Sequence, residues 1–221
     1  MPLNLVKNKK SNMYQFIDAT WNTIKGECYH DCSYCYMKRW GKLNNVHFDE
    51  KELKTDLGNG KFIFVGSSCD MFAENIPPDW INQTLEYCKK FDNKYLFQTK
   101  NPKRIIDFKL PKHSIICTTI ESNIYYKEIM RNSPPPYERA KYMNIISDSY
   151  ETFVTIEPIL DFNLDSLVDL IKQCKPKQVN IGADSCRNNL PEPSKEKVLQ
   201  LISELQKFTN IHKKSNLKRL I

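Results

Sequence analysis

The stretch Cys28-Tyr29-His30-Asp31-Cys32-Ser33-Tyr34-Cys35-Tyr36 sets three cysteines at the spacing C-x3-C-x2-C. Thiols this close in a short loop are poor disulfide partners and good metal ligands. Thiolates suit iron–sulfur clusters or zinc. A closed iron–sulfur cluster takes four thiolates. Only three are local here. A 4Fe-4S cluster held by Cys28, Cys32 and Cys35 therefore keeps one iron free of protein and open to a small molecule. Zinc is the alternative, because the same cysteines with His30 or His47 make a Cys3His set. Zinc sites more often show two distant C-x2-C pairs, and this chain has one.

Around that loop the chain has 221 residues, enough for one core of good size and too few for two ordinary domains. Hydrophobic residues make up 40%, which excludes a disordered chain. No apolar run is long enough for a bilayer span, so no membrane association is expected. Met1 to Ser11 is polar and lysine-rich, without the apolar core of a secretory signal. A cytoplasmic location is expected, where thiols stay reduced and eight cysteines need a reason other than disulfides. Small-hydrophobe packing accounts for most of the five outside the loop. The net charge of +7 suits a polyanionic partner such as a nucleic acid.

The rest of the sequence reads as strands alternating with helices. Tyr14 to Trp21, Lys61 to Val65, Lys94 to Thr99, Ser114 to Ile120, Thr152 to Ile156 and Gln178 to Ile181 are apolar or β-branched runs, read as six strands. Helices are expected over Asp49 to Leu57, from Pro77 past Cys88, from Asn101 to about Phe108, and from Pro134 to about Ser147. Two more follow, one carrying Leu164, Leu167, Val168 and Ile171 on one face, the other capped by Ser194. A short helix is expected over Tyr36 to Trp40. One domain covers 1–221, with a core over about 14–209 and a basic tail over 210–221. Continuous apolar strands are buried on both faces, as in a parallel α/β sheet. Six units fall short of a closed eightfold barrel. From pattern alone the alternative is a flat doubly wound sheet, although no G-x-G-x-x-G follows the first strand.

Ligands of parallel α/β folds bind at the carboxyl ends of the strands. Polar groups recur there. Gly66, Ser67, Ser68, Cys69 and Asp70 follow the second strand, and Thr99 and Lys100 end the third. Thr119, Glu121 and Ser122 end the fourth, and Glu157 follows the fifth.

The cysteine spacing resembles the signature of the radical S-adenosylmethionine (SAM) superfamily. That resemblance implies a partial (β/α)6 barrel of TIM-like type, a 4Fe-4S cluster on Cys28, Cys32 and Cys35, and SAM on the open iron. It also implies cleavage of SAM to a 5′-deoxyadenosyl radical that abstracts hydrogen from a substrate, and an electron donor of flavodoxin or ferredoxin type. Ser67, Ser68 or Asp70 would accept from the SAM ammonium, although the GSSCD run departs from the usual motif ending in glutamate. Lys100 would hold the carboxylate. Thr119, Glu121 or Ser122 would hold the ribose, and Glu157 completes the cofactor set. The strings F-I-F-V-G-S-S-C-D-M-F, F-Q-T-K-N-P-K-R and T-I-E-P-I-L are similar in order to a phage-associated radical-SAM family of unknown function. Tyr34, Tyr36 and Cys69 resemble residues of spore photoproduct lyase, in which tyrosines near the cluster and a cysteine take part in radical return. The substrates in view are a nucleic acid or nucleotide, a metabolite, or a partner protein. A non-catalytic metal-stabilised binding module is the alternative from another class.

Overall fold

The structure is a computed structural model that describes residues 2–6 and 12–221; of the lysine-rich stretch Met1 to Ser11, residues 1 and 7–11 lie outside the described residues. In chain order the strands are β1 (Asn4–Leu5), β2 (Ala19–Trp21), β3 (Ile24–Lys25), β4 (His47–Phe48), β5 (Phe62–Val65), β6 (Lys94–Thr99), β7 (Ser114–Thr119), β8 (Glu151–Ile156), β9 (Gln178–Ile181) and β10 (Asn210–Lys213). The helices are α1 (Pro78–Cys88), α2 (Lys127–Met130), α3 (Pro136–Ile146), α4 (Leu164–Gln173) and α5 (Lys195–Leu205). The 49–57 and 101–108 helices are shorter and tighter than expected, being 3-10 turns over Glu50–Lys54 and Pro102–Asp107. None of these helices is long and apolar enough to cross a membrane.

One sheet runs in the order β1-β2-β5-β6-β7-β8-β9-β10, with β3 and β4 forming a separate hairpin. The β1–β2 pair is antiparallel and every other neighbouring pair in the large sheet is parallel. From β2 to β10 the spatial order is the chain order. A doubly wound sheet reverses direction at a switch point, and this sheet never does. The architecture is the open, partial barrel of α/β class.

All six expected strands are present, with two corrections. The first strand is only Ala19–Trp21. Tyr14 to Ile17 instead lies across the concave face of the sheet, packed with Phe64, Leu96, Ile115, Cys117 and Phe153. The aromatic and β-branched residues that suggested a strand suit any half-buried surface. Tyr14 decides the outcome, because its hydroxyl finds Thr155 Oγ1 at 2.7 Å and Gln98 Oε1 at 2.8 Å on that face. The second correction is the tail. Asn210–Lys213 is β10, a seventh parallel strand paired with β9 from Asn210↔Gln178 to Lys213↔Ile181. Its sequence, Asn210-Ile211-His212-Lys213, has one apolar residue and its ends are exposed, so no apolar run marks it as a strand.

Strand side chains alternate between two environments. Ile63, Val65, Tyr95, Phe97, Ile116, Val154, Ile156, Val179 and Ile181 face the main core, where the buried stripes of α1, α3, α4 and α5 cover them. Full burial of each such side chain contributes roughly 1.5–3 kcal/mol. The helices start where the sequence places starts. Pro78 and Pro136 occupy first turns, and the side chains of Asn163 and Ser194 accept from the N–H groups of Ser166 and Lys197. On the concave face the residues turn polar toward the carboxyl ends, with Gln98, Thr119, Thr155 and Asn180 joined by hydrogen bonds.

Candidate active site

A cavity of about 890 Å³ opens at the carboxyl ends of the parallel strands. Cys28, Cys32 and Cys35 line one wall of it. A second hollow, of about 630 Å³, lies at the opposite ends of the strands against Phe62, Lys94, Ser114 and Glu151; no cysteine lines it.

The cysteine loop leaves the β3–β4 hairpin at Gly26, whose φ of +101° and 2.6 Å clearance from the Asn45 carbonyl to a would-be Cβ require glycine. The segment from α2 to Ser133 braces one side of the loop. Ser33 N–H donates to the Ile129 carbonyl at 2.9 Å, Asn132 N–H to the His30 carbonyl at 3.2 Å, and Arg131 pairs with Asp31. Cys32 Sγ sits 3.3 Å from Ser133 Oγ. The other side is held by the strand ends. Tyr36 donates to the Ser67 carbonyl at 2.7 Å, and His30 Nε2 lies 2.8 Å from Asp70 Oδ2.

Gly66 has a φ of +76° and turns the chain after β5 so that Ser67, Ser68, Cys69 and Asp70 all reach the cavity. Asn22, just past β2, accepts from Ser67 Oγ at 3.2 Å and Ser68 N–H at 3.1 Å. Asp70 is a hub. Besides His30, it accepts from Thr99 Oγ1, Lys100 N–H and Phe72 N–H, at 2.8 to 3.0 Å. Burial opposes its charge, but His30 and these donors hold its carboxyl below the usual range. As a ligand for an ammonium group, Asp70 is thus largely taken up by the protein itself.

Lys100 also faces the cavity. Its Nζ stands 5.4 Å from the centroid of the Tyr34 ring and makes no ion pair among the described residues. Burial works against its charge, while Cys32 and Glu121 raise its pKa beyond the ordinary lysine value. A cation so placed, without a carboxylate of its own, is suited to an anionic ligand.

Cys69 is 3% exposed, with its thiol toward the Glu27 carbonyl at 3.9 Å and close enough to Cys28 for the two thiols to share a hydrogen bond. That hydrogen bond lowers the Cys28 pKa and raises the Cys69 pKa. Burial pushes Cys35 up. Tyr34 is raised well above the usual value by burial, then by Glu121 and Cys32.

Two expected cofactor residues do not reach the cavity. Glu121 is fully buried behind Tyr34, accepting its hydroxyl and pairing with Arg139 Nη1 at 2.7 Å. Ser122 Oγ is turned away, donating to the Asp161 carbonyl at 2.7 Å. Both follow the end of β7, where only Thr119 stays on the concave side. Thr119 accepts from Gln98 Nε2 at 3.1 Å and keeps its own proton to donate.

Glu157 lines the wall away from the cysteines. It pairs with Lys214 and accepts from Asn12 at 2.5 Å and Asn216 at 2.7 Å. Lys214 and Asn216 follow β10, so reading 210–221 as a tail hid them. Lys214 also stands 4.4 Å over the Tyr14 ring. Of the other tail cations, Arg219 is paired with Glu192.

The donor set decides what the loop can hold. Among the described residues no three His, Cys, Asp or Glu side chains are spaced for a single metal ion. A cubane is wider, because each thiolate ligates its own iron. His30 holds Nε2 against Asp70 and leaves Nδ1 buried without a partner, the arrangement of a metal-ligating imidazole, but its side chain does not fall within a single-ion set with the cysteines. His47 lies on β4, away from the cavity, with Nδ1 2.9 Å from the Asn45 carbonyl. Three thiols on one wall, with an unpaired lysine beside them, fit an open iron–sulfur cluster with an anionic ligand on it.

No protein-family profile matches the chain. It is 22% identical over 231 residues to tRNA-2-methylthio-N(6)-dimethylallyladenosine synthase of Petrotoga mobilis, covering 86% of this chain and 51% of that protein. The chain thus spans about half the length of that relative. Among solved structures, a cysteine mutant of spore photoproduct lyase superposes with a TM-score of 0.65 at 10% identity, over 96% of this chain and 80% of the lyase chain. A double mutant of the lyase with bound AdoMet and dinucleoside spore photoproduct gives 0.60 at 11%, over 93% and 66%. The fold of this chain is that shared barrel.

Proposed function

We propose that the chain is a radical SAM enzyme whose cluster is held by Cys28, Cys32 and Cys35. The observation that carries this reading is the convergence of those three thiols and Lys100 on one cavity at the strand ends. Bound there, such a cluster supplies an electron that splits SAM and releases a 5′-deoxyadenosyl radical for hydrogen abstraction. An electron donor of flavodoxin or ferredoxin type would serve it in a cytoplasmic setting. The order of motifs remains similar to the phage-associated family, and the reading of 1–221 as one domain is kept as part of the proposal.

Within this reading the chain's own groups have separate tasks. Lys100 binds the SAM carboxylate. The hydroxyl of Ser67 gives its proton to Asn22, so its lone pairs, with those of Ser68, accept from the ammonium. Thr119 donates to the ribose. Glu157, held by Lys214 and Asn216, shapes the wall where the substrate enters. Tyr34 fixes the loop against Glu121, and Tyr36 fixes it against Ser67. Cys69, packed against Cys28, is the candidate to return a hydrogen atom to a substrate radical.

A nucleic acid or nucleotide is the substrate class we favour. Lys38, Arg39 and Lys42 line the cavity mouth. The named relative acts on tRNA, and one lyase structure binds a dinucleoside. Each of these supports the class without naming the compound.

The test is anaerobic reconstitution with iron and sulfide, reduction, addition of SAM, and assay for 5′-deoxyadenosine. Its formation is expected. Protein that takes up zinc and no iron would instead favour a binding module. SAM should also perturb the electron paramagnetic resonance signal of the reduced protein. Lys100→Ala removes a charge-assisted contact worth roughly 1.5–3 kcal/mol, so the perturbation should need at least about tenfold more SAM. Unchanged affinity would place the carboxylate elsewhere. With a working substrate, Cys69→Ala is expected to change the product distribution, and an unaltered distribution would remove that thiol from hydrogen return.

A further inference from the structure

The turn that follows the cysteine loop leaves large apolar groups in solvent. Tyr36–Trp40 is one 3-10 turn starting directly after Cys35, and none of its residues is buried. Trp40 is 68% exposed and Tyr36 40%. The Arg39 guanidinium lies between them, 5.1 Å from the Trp40 ring and 5.8 Å from the Tyr36 ring. Arg39 and Lys42 line the cavity mouth and make no ion pair among the described residues, whereas Lys38 is paired with Asp31. Trp40 therefore stands one side chain away from the mouth.

Packing does not explain this arrangement, because an indole that served the core would be covered. Its chemistry does suggest a ligand. Every base has a π-face that an exposed aromatic ring can stack on, and free cations beside the ring suit the phosphates between bases. We propose that the Tyr36–Trp40 turn is a stacking platform for single-stranded nucleic acid. Trp40 takes a base flanking the nucleotide that enters the cavity, and Arg39 and Lys42 take the backbone phosphates. The inference rests on the nucleic-acid reading of the substrate given above. A closed duplex offers no free base face, so unpaired strands are the ligand. An acidic peptide would satisfy the cations but would leave the indole uncovered.

The experiment uses the full chain loaded with iron and sulfide, and short oligothymidylate as the probe. Trp40 can be followed by its own fluorescence, since Trp21 is 2% exposed and Trp80 is packed against Phe48. Binding should quench it. Trp40→Ala should weaken binding roughly tenfold, the scale of one lost base stack, and Trp40→Phe should keep most of the affinity. Replacing Arg39 and Lys42 together by Ala should flatten the salt dependence instead. An abasic oligomer of equal length should bind wild type and Trp40→Ala alike. Wild-type affinity in Trp40→Ala would overturn the platform, as would equally Trp40-dependent binding of polyglutamate. If no oligomer binds while the wild type still forms 5′-deoxyadenosine, the nucleic-acid substrate and the platform both fail and the radical chemistry stands. Equal iron content across the variants excludes loss of fold as the cause.

Discussion

Cys32→Ala is expected to emerge from anaerobic reconstitution with essentially no iron or sulfide and no capacity to cleave SAM. Three thiolates are the smallest set that holds a cubane with an open iron, so losing one leaves two attachment points. Cys32 gives the cleanest test. Its sulfur neighbours Ser133 Oγ and the Met130 carbonyl, so no thiol stands ready to replace it. Cys35→Ala should behave in the same way. Cys28 is different, because the Cys69 thiol already touches it. Residual iron in Cys28→Ala is therefore expected to disappear in Cys28→Ala/Cys69→Ala. Cys88→Ala and Cys174→Ala serve as controls, since both side chains are fully buried in the main core. They should keep the full complement. Iron and sulfide analysis of each variant decides the matter, and full retention in Cys32→Ala would end the cluster assignment.

The cysteines were legible from sequence because their chemistry is local: three ligands within eight residues need no tertiary contact to be recognised. Strand and helix order was legible for a similar reason. Apolar runs such as Lys94–Thr99 and capped helices such as Lys195–Leu205 carry their own period and stop signals. The errors came where tertiary partners decide. Tyr14 to Ile17 looks like a strand until Gln98 and Thr155 offer its hydroxyl a place on the concave face. Asn210–Lys213 looks like a basic tail until β9 presents an open edge. Glu121 and Glu157 follow strand ends in the same way and look equivalent. Only the fold shows that one is sealed against Arg139 while the other faces the cavity. His30, Asn22, Lys214 and Arg139 support the site through contacts distant in sequence, for which no local signal exists. Glu121 and Arg139 are 18 residues apart and on different elements.

That pair is the second place where a single change should have a large effect. Arg139→Ala is expected to destabilise the chain by about 3–5 kcal/mol, the cost of leaving one partner of a buried ion pair alone. Both side chains are fully buried. Arg139 also donates from Nε to the Pro134 carbonyl at 2.6 Å and from Nη1 to the Thr119 carbonyl at 2.8 Å. It thus ties α3 to the end of β7. Glu121 passes the connection on to the cysteine loop through the Tyr34 hydroxyl. Burial alone would raise the Glu121 pKa, but Arg139 and then Lys100 hold it below the ordinary 4.5. The folded-state value lies under the unfolded one, so this contribution is fully present above about pH 4.5 and is lost as pH falls through the folded value. Urea unfolding at neutral pH and at successive acid steps should show that loss in the wild type. Replacing all three members, as Tyr34→Phe/Glu121→Leu/Arg139→Met, removes both buried charges and the tyrosine hydroxyl together and leaves only the Pro134 and Thr119 carbonyls without their Arg139 donor. It should therefore recover most of the stability that Arg139→Ala loses. Such recovery would mean the ion pair holds Tyr34 and the cysteine loop in one geometry and adds little net stability. The part of the acid-dependent loss that Glu121 contributes should then vanish with it, while the part from Asp70 stays. An Arg139→Ala variant within about 1 kcal/mol of wild type, the range of an exposed ion pair, would show that the pair is not sealed from water.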